Sequence, residues 1–436
     1  MIATLVISIT TFILIGVSLF FFPKVKIGKI SLSTYWMIAM LGAIILIACS
    51  LAPIKEVWAQ LTSDSKINPL KILVLFFSMT FISIVLDELG LFKHLASVAV
   101  KKAKGSQYAL FFALYGLASL LTIFTSNDIV ILTMTPFICF FCKRGKINPL
   151  PYLIGEFAAA NTWSLMFIIG NPTNINLGTS AGISFTQYFK VMALPCLIAG
   201  LVELIIIFLL FRKLLSKKIS IDDQDIEHIE NKTMLFVGIA HLAVCLIFLV
   251  ISGYINVEMW LISLICAGSL LLFIVIYSLI TRHNWKYLIN SSKRLPYPLI
   301  PFFLSMFVIV VAFNYQGISI KIAELLGNKN IVFIYGYTSF ISSNIINNIP
   351  MSILYSNLAS GLTGLNYKLA IYSSIIGSNI GAFLTPLGAL AGIMFTTLVN
   401  KYEVKFSFID FVKYGVIISI PTISAALGML LLTIRF

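Results

Sequence analysis

The chain has 436 residues, of which 59% are hydrophobic and 11% charged, and its mean hydropathy is +1.02. This balance excludes a water-soluble globular domain and predicts a polytopic membrane protein. The net charge of +14 does not indicate nucleic-acid binding, because the 30 Lys and Arg residues lie in short clusters between apolar runs.

The apolar runs predict about ten spanning helices, at roughly 20 residues per crossing. In the first half the predicted spans lie near 2–22, 33–54, 70–88, 151–187 and 188–212. In the second half they lie near 233–251, 258–281, 297–315, 367–399 and 409–433. The first span has no basic segment before it and no small-residue cleavage site after it, so we expect a retained helix and not a signal peptide.

Two further apolar stretches, 107–142 and 331–360, carry a polar pair near the middle, Ser126-Asn127 and Ser343-Asn344. Each stretch forms either two crossings or a re-entrant hairpin, and the short arms of the second favour the hairpin. A further interruption follows each hairpin and predicts a broken helix, within 151–187 and again within 367–399. Freed backbone groups survive in lipid only around a polar cavity, so paired breaks indicate the binding site of a secondary transporter.

The two halves also resemble each other in residues, because Phe76-Phe-Ser78-Met79 aligns with Phe303-Leu-Ser305-Met306. Each half has five crossings and one hairpin, and an odd number of crossings turns the second copy upside down. The sequence therefore predicts an all-α membrane protein of two inverted repeats. The predicted boundaries are 1–212 for the first repeat, 213–232 for a cytoplasmic linker and 233–436 for the second repeat.

The basic residues predict the orientation in the membrane. Most of them fall on one side if the cytoplasmic loops are 23–32, 89–106, 143–150, 212–232, 282–296 and 400–408. This threading predicts a multi-pass protein of the plasma membrane with both termini outside the cell.

Five acidic residues fall inside predicted membrane segments, where a carboxylate must be paired, hydrated or protonated: Asp87, Glu88, Asp128, Glu156 and Glu203. Asp128 opens a half-helix directly after Ser126-Asn127, where the positive end of the helix dipole stabilises an anion, so it is either a transport residue or a helix cap. Glu156 is a second candidate for proton coupling. Asp87 and Glu88 lie at a span end, and Glu203 is either structural or protonated against another helix.

Uncharged polar residues at the four breaks are expected to line a common pocket if the hairpin tips meet the broken helices. Amide and hydroxyl groups there can coordinate Na⁺ or hydrogen-bond a small oxyanion-type solute. Together with Asp128, the predicted substrate- or ion-binding residues are Ser126, Asn127, Asn161, Thr162, Asn171, Thr173, Asn174, Ser343, Asn344, Asn347, Asn348, Asn379 and Thr385.

At these motifs the chain resembles the ion transporter superfamily, which includes ArsB-type arsenite permeases, NhaD-type sodium/proton antiporters and divalent anion/sodium symporters. Thr125-Ser126-Asn127-Asp128 is similar to the hairpin of arsenite permeases, and Asn347-Asn348-Ile-Pro350 and Thr385-Pro-Leu-Gly388 are similar to their second half. The resemblance implies paired hairpins and elevator-like movement of a transport unit. The chain departs from the symporters, which typically carry Ser-Asn-Thr at both tips, because Asp128 and Ile345 stand at the third positions.

We expect a secondary transporter, with proton-coupled efflux of arsenite or antimonite as the leading hypothesis. A Na⁺/H⁺ antiporter or a Na⁺-coupled anion or dicarboxylate symporter is the alternative. We expect no catalytic residue, metal site or cofactor beyond a coupling H⁺ or Na⁺. The expected partners are a small inorganic substrate and the lipid bilayer, without nucleic acid. The sequence leaves undecided whether the protein forms a homodimer.

Overall fold

The computed structural model describes residues 1–27, 30–62, 68–217, 228–281 and 285–434. Within these ranges the protein is almost entirely helical, which confirms the predicted fold class. The exception is a short antiparallel hairpin of β1 (Lys24–Ile27) and β2 (Ile30–Ser33), in a segment predicted as a loop. The middle of the predicted linker, 218–227, lies outside the described residues.

The helices of the first half are α1 (Ile2–Phe21), α2 (Thr34–Ala48), α3 (Ile54–Thr62), α4 (Pro69–Glu88), α5 (Leu91–Lys102), α6 (Gln107–Phe124), α7 (Asn127–Arg144), α8 (Leu150–Trp163), α9 (Pro172–Ser180) and α10 (Phe185–Leu215). Those of the second half are α11 (Lys232–Ile255), α12 (Met259–Thr281), α13 (Trp285–Arg294), α14 (Leu299–Tyr315), α15 (Ile318–Leu326), α16 (Ile331–Ile346), α17 (Asn348–Ala359), α18 (Gly364–Gly381), α19 (Leu390–Lys401) and α20 (Phe408–Ile434).

Eight helical segments in the described ranges are long and apolar enough to cross a membrane. They are α1, α4, α6, α10, α11, α12, the α13–α14 segment and α20. The count differs from the predicted ten because α2 has only 15 residues, α8 has only 14, and α18 has 18 residues but is less apolar than the spanning helices. Conversely, α6 reaches 18 residues although it was predicted as one arm of a hairpin.

The first predicted hairpin breaks where the sequence indicated. Helix α6 ends at Phe124, Thr125 and Ser126 are extended, and α7 begins at Asn127. Each arm therefore ends or begins at the polar tip.

The second hairpin breaks one turn later than its Ser-Asn pair indicated. Ser343 and Asn344 lie in the last turn of α16, and the connection to α17 is the single residue Asn347, whose φ is 71°. Its ψ of 155° places it outside the left-handed helical region, in a backbone conformation that is strained for a residue with a side chain. The Asn347 side chain accepts a hydrogen bond from the Ile349 amide at this strained position. The element that corresponds to Ser126-Asn127 is therefore Asn347-Asn348.

Both predicted broken helices are interrupted. Helix α8 ends at Trp163 and is followed by a single 3₁₀ turn, Ile168–Gly170, before α9 begins at Pro172. Proline suits the start of α9, because it lacks the amide hydrogen that the first turn of a helix leaves unused. Helices α18 and α19 are separated by the segment 382–389.

Four short helices were not predicted from the sequence. Helices α3, α5, α13 and α15 occupy segments interpreted as loops, and each has one apolar face. They contain nine to twelve residues, so a search for runs of about 20 apolar residues passes over them.

The helices group into two compact units that differ from the two halves of the sequence. Unit 1 comprises Met1–Leu73, Pro172–Ile183 and Pro296–Ile393, and unit 2 comprises Val74–Asn171, Ser184–Leu295 and Met394–Phe436. Helix α9 from the first half thus belongs to unit 1, and most of α19 from the second half belongs to unit 2. This exchange is reciprocal, as an inverted repeat would require, and the repeat itself stays a prediction.

In unit 1 the hairpin arm α16 packs closely against the broken helix α18 through small residues. A Cβ atom added to Gly377 would collide with the Ser339 hydroxyl and the Gly336 carbonyl, and one added to Gly381 would meet the Ser343 hydroxyl. Spacing of small residues by four places them on one face of each helix, which allows such close approach.

In unit 2 the long helix α10 packs against α8 and α20. Aromatic rings fill the space beside α8, where the Phe157 ring centroid lies 4.6 Å from that of Phe395 and 5.4 Å from that of Phe411. The Trp163 indole covers Gly200 of α10, where a Cβ atom would lie only 2.5 Å from the ring.

The α16–α18 contact predicts that Gly377→Ala destabilises the protein by about 1–3 kcal/mol, because the added methyl group forces two packed helices apart. Thermal unfolding of the purified protein in detergent measures the change. Gly268→Ala in α12 is the matched control, because its added Cβ meets no atom within 4 Å. Equal melting temperatures for the two variants would contradict the close packing.

Candidate functional site

The first hairpin tip in unit 2 presents its polar side chains to α8. Ser126, Asn127 and Asn161 are all buried, and the Asn127 Nδ2 group donates a hydrogen bond of 3.2 Å to Asn161 Oδ1. Asn161 lies in the last turn before the α8 break, so this bond connects the two interruptions of the first half.

The orientation of both amides follows from one backbone carbonyl. Asn161 Nδ2 donates to the Phe157 carbonyl oxygen at 2.8 Å, and a carbonyl can only accept. Asn161 must therefore present Oδ1 to Asn127, and Asn127 must present its NH₂ group in return. The Oδ1 atom of Asn127 then has no hydrogen-bond donor among the described residues.

Three acceptor groups at this tip lack a partner among the described residues. The Asn127 Oδ1 and Ser126 Oγ atoms are buried without a hydrogen bond, and the half-buried carboxylate of the adjacent Asp128 has neither a hydrogen bond nor a cation. Buried polar groups are nearly always satisfied, so unsatisfied ones indicate a place for a ligand. The first tip is the strongest candidate site in the structure.

Glu156 lies deeper in unit 2, two turns before the α8 break. Its carboxylate is buried and accepts a hydrogen bond of 3.0 Å from Thr135 of α7. It therefore links the second hairpin arm to α8, and no hydrogen bond within the described part of the chain joins it to the tip residues.

The second tip, in unit 1, is held against the α18 break by side-chain amides. Asn344 Nδ2 donates to the Gly381 carbonyl at 2.9 Å, and its Oδ1 accepts from the amide and hydroxyl of Thr385 at 3.0 and 2.7 Å. Asn347 Nδ2 donates to the Leu387 carbonyl at 3.1 Å, and the backbone N–H of Asn348 donates to the Gly388 carbonyl at 3.1 Å. These amides satisfy backbone groups that the break sets free.

Helix α9 joins unit 1 through a second pair of amides. Asn379 Nδ2 donates to Asn174 Oδ1 at 2.6 Å, and Asn176 Nδ2 donates to Ser352 Oγ of α17 at 2.9 Å. Both contacts join a residue of the first half to one of the second. Sequence reasoning missed Asn176 and Ser352, since both lie inside regular helix and no interruption marks them.

The predicted site residues thus form two sets. The set in unit 2 is Ser126, Asn127, Asp128, Asn161, Thr162 and Asn171. The set in unit 1 is Thr173, Asn174, Ser343, Asn344, Asn347, Asn348, Asn379 and Thr385. Within each set the structure brings hairpin and broken helix together, and the single pocket common to both stays a prediction from sequence.

Two of the remaining acids form a cluster with one arginine. Arg294 of α13 forms two ion pairs, with Nη2 lying 2.5 Å from Asp87 Oδ2 and Nη1 lying 2.6 Å from Glu88 Oε1. Asp87 Oδ2 also accepts a hydrogen bond of 2.7 Å from Thr133 Oγ1. This pairing explains how α4 carries two carboxylates at its end, and it favours the structural interpretation of both.

Comparison with known proteins gives consistent results. The model of the citrate transporter family CitMHS matches residues 27–369. An arsenical pump membrane protein of Escherichia coli is 24% identical over 380 residues, which cover 83% of this chain and 86% of the relative. A putative arsenical pump membrane protein of Bacillus subtilis is 24% identical over 424 residues, covering 87% and 90%.

The fold is also similar to a solved structure. The crystal structure of the YdaH transporter of Alcanivorax borkumensis aligns with a TM-score of 0.55 and 14% sequence identity, covering 100% of this chain and 98% of that one.

Interrupted helices, polar hairpin tips and many apolar spans define a multi-pass membrane transporter. The chain belongs to the citrate transporter family CitMHS, and the resemblance to ArsB-type permeases is confirmed.

The bonds of Asn344 predict that Asn344→Leu loosens the α18 break. The Thr385 amide loses its acceptor, and a buried hydrogen bond removed on one side costs about 1–3 kcal/mol. Hydrogen exchange followed by mass spectrometry should show faster exchange in peptides covering 382–389. Ser342→Ala is the control, because Ser342 contacts Tyr355 of the other arm. Unchanged exchange in Asn344→Leu would refute the role of this amide.

Proposed function

We propose that the protein is a proton-coupled secondary transporter that exports a small oxyanion-type solute, with arsenite or antimonite as the preferred substrate. The observation that carries this proposal is the set of unpartnered acceptors at the first hairpin tip, Ser126 Oγ, Asn127 Oδ1 and the Asp128 carboxylate.

The chemistry of these groups favours a ligand that donates hydrogen bonds. A trivalent hydroxide such as arsenous acid is neutral and carries three O–H groups, which match a cluster of oxygen acceptors. A tricarboxylate offers mainly acceptors of its own, and no Lys or Arg is paired with the tip residues in the described chain. The names of the relatives from Escherichia coli and Bacillus subtilis point to the same substrate class.

Asp128 is the proposed site of proton exchange at this tip. Its carboxylate lies in the first turn of α7, where the helix dipole stabilises the charged form while the surrounding apolar residues destabilise it. A group balanced between these effects can release its proton when substrate binds and regain it when substrate leaves. We also propose an elevator-like movement of a transport unit and a plasma-membrane location with both termini outside.

A Na⁺-coupled transporter of citrate or of a dicarboxylate is the second candidate, and a Na⁺/H⁺ antiporter belongs to the same alternative. Two observations favour it: the description of the family names citrate, and the oxygen acceptors that suit a trihydroxide also suit Na⁺. In this case the tip would hold the coupling ion, and the free amide groups at the start of α7 would face the anion.

Proteoliposomes loaded with a pH-sensitive dye test the role of Asp128. We expect Asp128→Asn to abolish arsenite flux driven by a pH gradient, because the amide cannot exchange a proton. Asp410→Asn is the control, since the Asp410 carboxylate lies in the first turn of α20 and accepts hydrogen bonds from Ser407, outside both hairpin tips. Flux in Asp128→Asn equal to that of the unmodified protein would rule out proton exchange at this residue.

A thermal-shift titration separates the two candidates. A ligand at 100 times its Kd stabilises the folded state by about 2.7 kcal/mol, so the true ligand should raise the melting temperature in a saturable manner. We expect this from arsenite in the absence of Na⁺, and a weaker response in Ser126→Ala, which lacks one acceptor. Ser119→Ala is the control, because that hydroxyl donates to its own helix at Tyr115 O. Stabilisation by citrate that requires Na⁺ would instead support the second candidate.

A further inference from the structure

Glu203 of α10 is a fully buried carboxylate outside the proposed site. Its side chain is 0% exposed, and the described residues place no Lys, Arg or His against it. Its two oxygens meet hydroxyl groups instead: Oε1 lies 3.0 Å from Tyr115 Oη of α6, and Oε2 accepts a hydrogen bond from Thr162 Oγ1 at the end of α8. A charge buried in this way without a cation beside it is strongly disfavoured relative to the neutral acid.

The Tyr115 hydroxyl has one hydrogen and two acceptors within reach. Its Oη atom lies 2.8 Å from the Gly200 carbonyl oxygen and 3.0 Å from Glu203 Oε1, and it also accepts a hydrogen bond of 3.2 Å from Trp163 Nε1. A carbonyl cannot donate, so the bond to Gly200 uses the tyrosine hydrogen. The 3.0 Å contact between Oη and Oε1 is then a hydrogen bond when Glu203 carries the hydrogen.

We propose that Glu203 is a proton-binding site of the transporter, neutral in this conformation and ionised in another step of the transport cycle. When the proton leaves, the Tyr115 hydroxyl can turn from the Gly200 carbonyl to the carboxylate. Both forms of Glu203 thus keep two hydrogen bonds, and only the neutral form avoids a buried charge. This inference rests on the proposed function, to which it adds a second proton site.

Few other titratable groups face Glu203. Tyr115 is its neighbour on α6, and Cys196 lies on α10 itself with its Sγ 3.5 Å from the Thr162 carbonyl oxygen. On α8 the nearest acid is Glu156, six residues before Thr162. Helix α20 has no charged residue after Lys413, and the hydrogen bond between α10 and α11 joins Thr186, at the start of α10, to the Val250 carbonyl.

A continuous set of contacts connects Glu203 to the first hairpin tip. Thr162 donates to Glu203, its neighbour Asn161 accepts from Asn127, and Asn127 adjoins Asp128. An ionised Glu203 would hold the Thr162 hydroxyl more firmly, because hydrogen bonds to a charged group are about twice as strong as neutral ones. The end of α8, and with it Asn161, would respond to the proton. Occupancy at the tip and protonation at Glu203 are coupled through this one helix end.

Infrared spectroscopy of the purified protein in its membrane tests the protonation without reference to any substrate. A buried carboxylic acid gives a C=O stretching band above that of carboxylates, and the band shifts in D₂O. We expect Glu203→Gln to lose a component of this band at neutral pH, and Asp128→Asn and Glu156→Gln to retain that component, because Glu156 is a second buried carboxylate whose partner is a hydroxyl group. The Glu203→Gln variant should fold, because the new amide preserves the contacts of the neutral acid: its NH₂ group can donate to Tyr115 and its carbonyl can accept from Thr162.

Flux measurements in proteoliposomes with arsenite as the probe then test the coupling. We expect Glu203→Gln to lose at least tenfold in flux driven by a pH gradient while exchange of arsenite for arsenite without a gradient continues. An unchanged infrared band in Glu203→Gln overturns the proposal whatever the substrate. Loss of the band with intact pH-driven flux overturns the coupling role. If the unmodified protein moves no arsenite, the proposed function fails, and the band alone still decides whether Glu203 holds a proton.

Discussion

Each interruption of a helix in this apolar chain sets free backbone N–H and C=O groups that have no access to water, and these groups must find partners within the protein. Side-chain amides are the partners at the second tip, where Asn344 and Asn347 bond to the backbone of 381–387. At the first tip, Thr125 instead bonds back to the Leu121 carbonyl of its own helix. The concentration of Asn, Ser and Thr at the breaks therefore has a structural cause before it has a functional one.

This requirement separates the two tips in function. At the second tip nearly every polar group is used, and the bonds hold α16, α17 and the α18 break together as one structure. At the first tip, Asn127 Oδ1 and Ser126 Oγ have no hydrogen-bond partner although Asn127 is bonded to Asn161, and Asp128 adds a carboxylate. The same residue types thus close one break and leave the other able to bind a ligand. At the first tip, the end of α8 also contacts a buried acid, because Thr162, next to Asn161, donates to Glu203.

The sequence predicted most of the fold because long apolar runs and their interruptions are strong signals. It placed α1, α4, α10, α11, α12 and α20 within a few residues of their observed ends, and it located the breaks near Asn127, Pro172 and Thr385. The second tip was misplaced by one turn, because Ser343-Asn344 is as compatible with a helix end as Asn347-Asn348 is. The helix ends at Asn347 because bonds to Leu387 and Gly388 stabilise it there, and such tertiary contacts leave no local signal.

The candidate site was predictable only in part for the same reason. Residue types and spacing identified Asn127, Asn161 and Asp128, but a sequence cannot show which amide atom remains free once its neighbour is bonded. The pairs formed by Asn176 with Ser352 and by Asn174 with Asn379 join residues far apart in the chain. The hydroxyl groups around Glu203 come from α6 and α8, so the sequence near Glu203 does not predict these contacts.

The composition of unit 1 has a consequence for biosynthesis. Helix α2 packs against α14, and the rings of Tyr35 and Phe302 lie 5.1 Å apart, yet the ribosome completes α2 long before it reaches α14. The face of α2 that packs against α14 therefore stays exposed, in the translocation machinery or the bilayer, until most of the polypeptide has been made. A chain released early, before residue 296, would lack α14 and α16, against which α2 and α1 pack, and would be a substrate for membrane quality control.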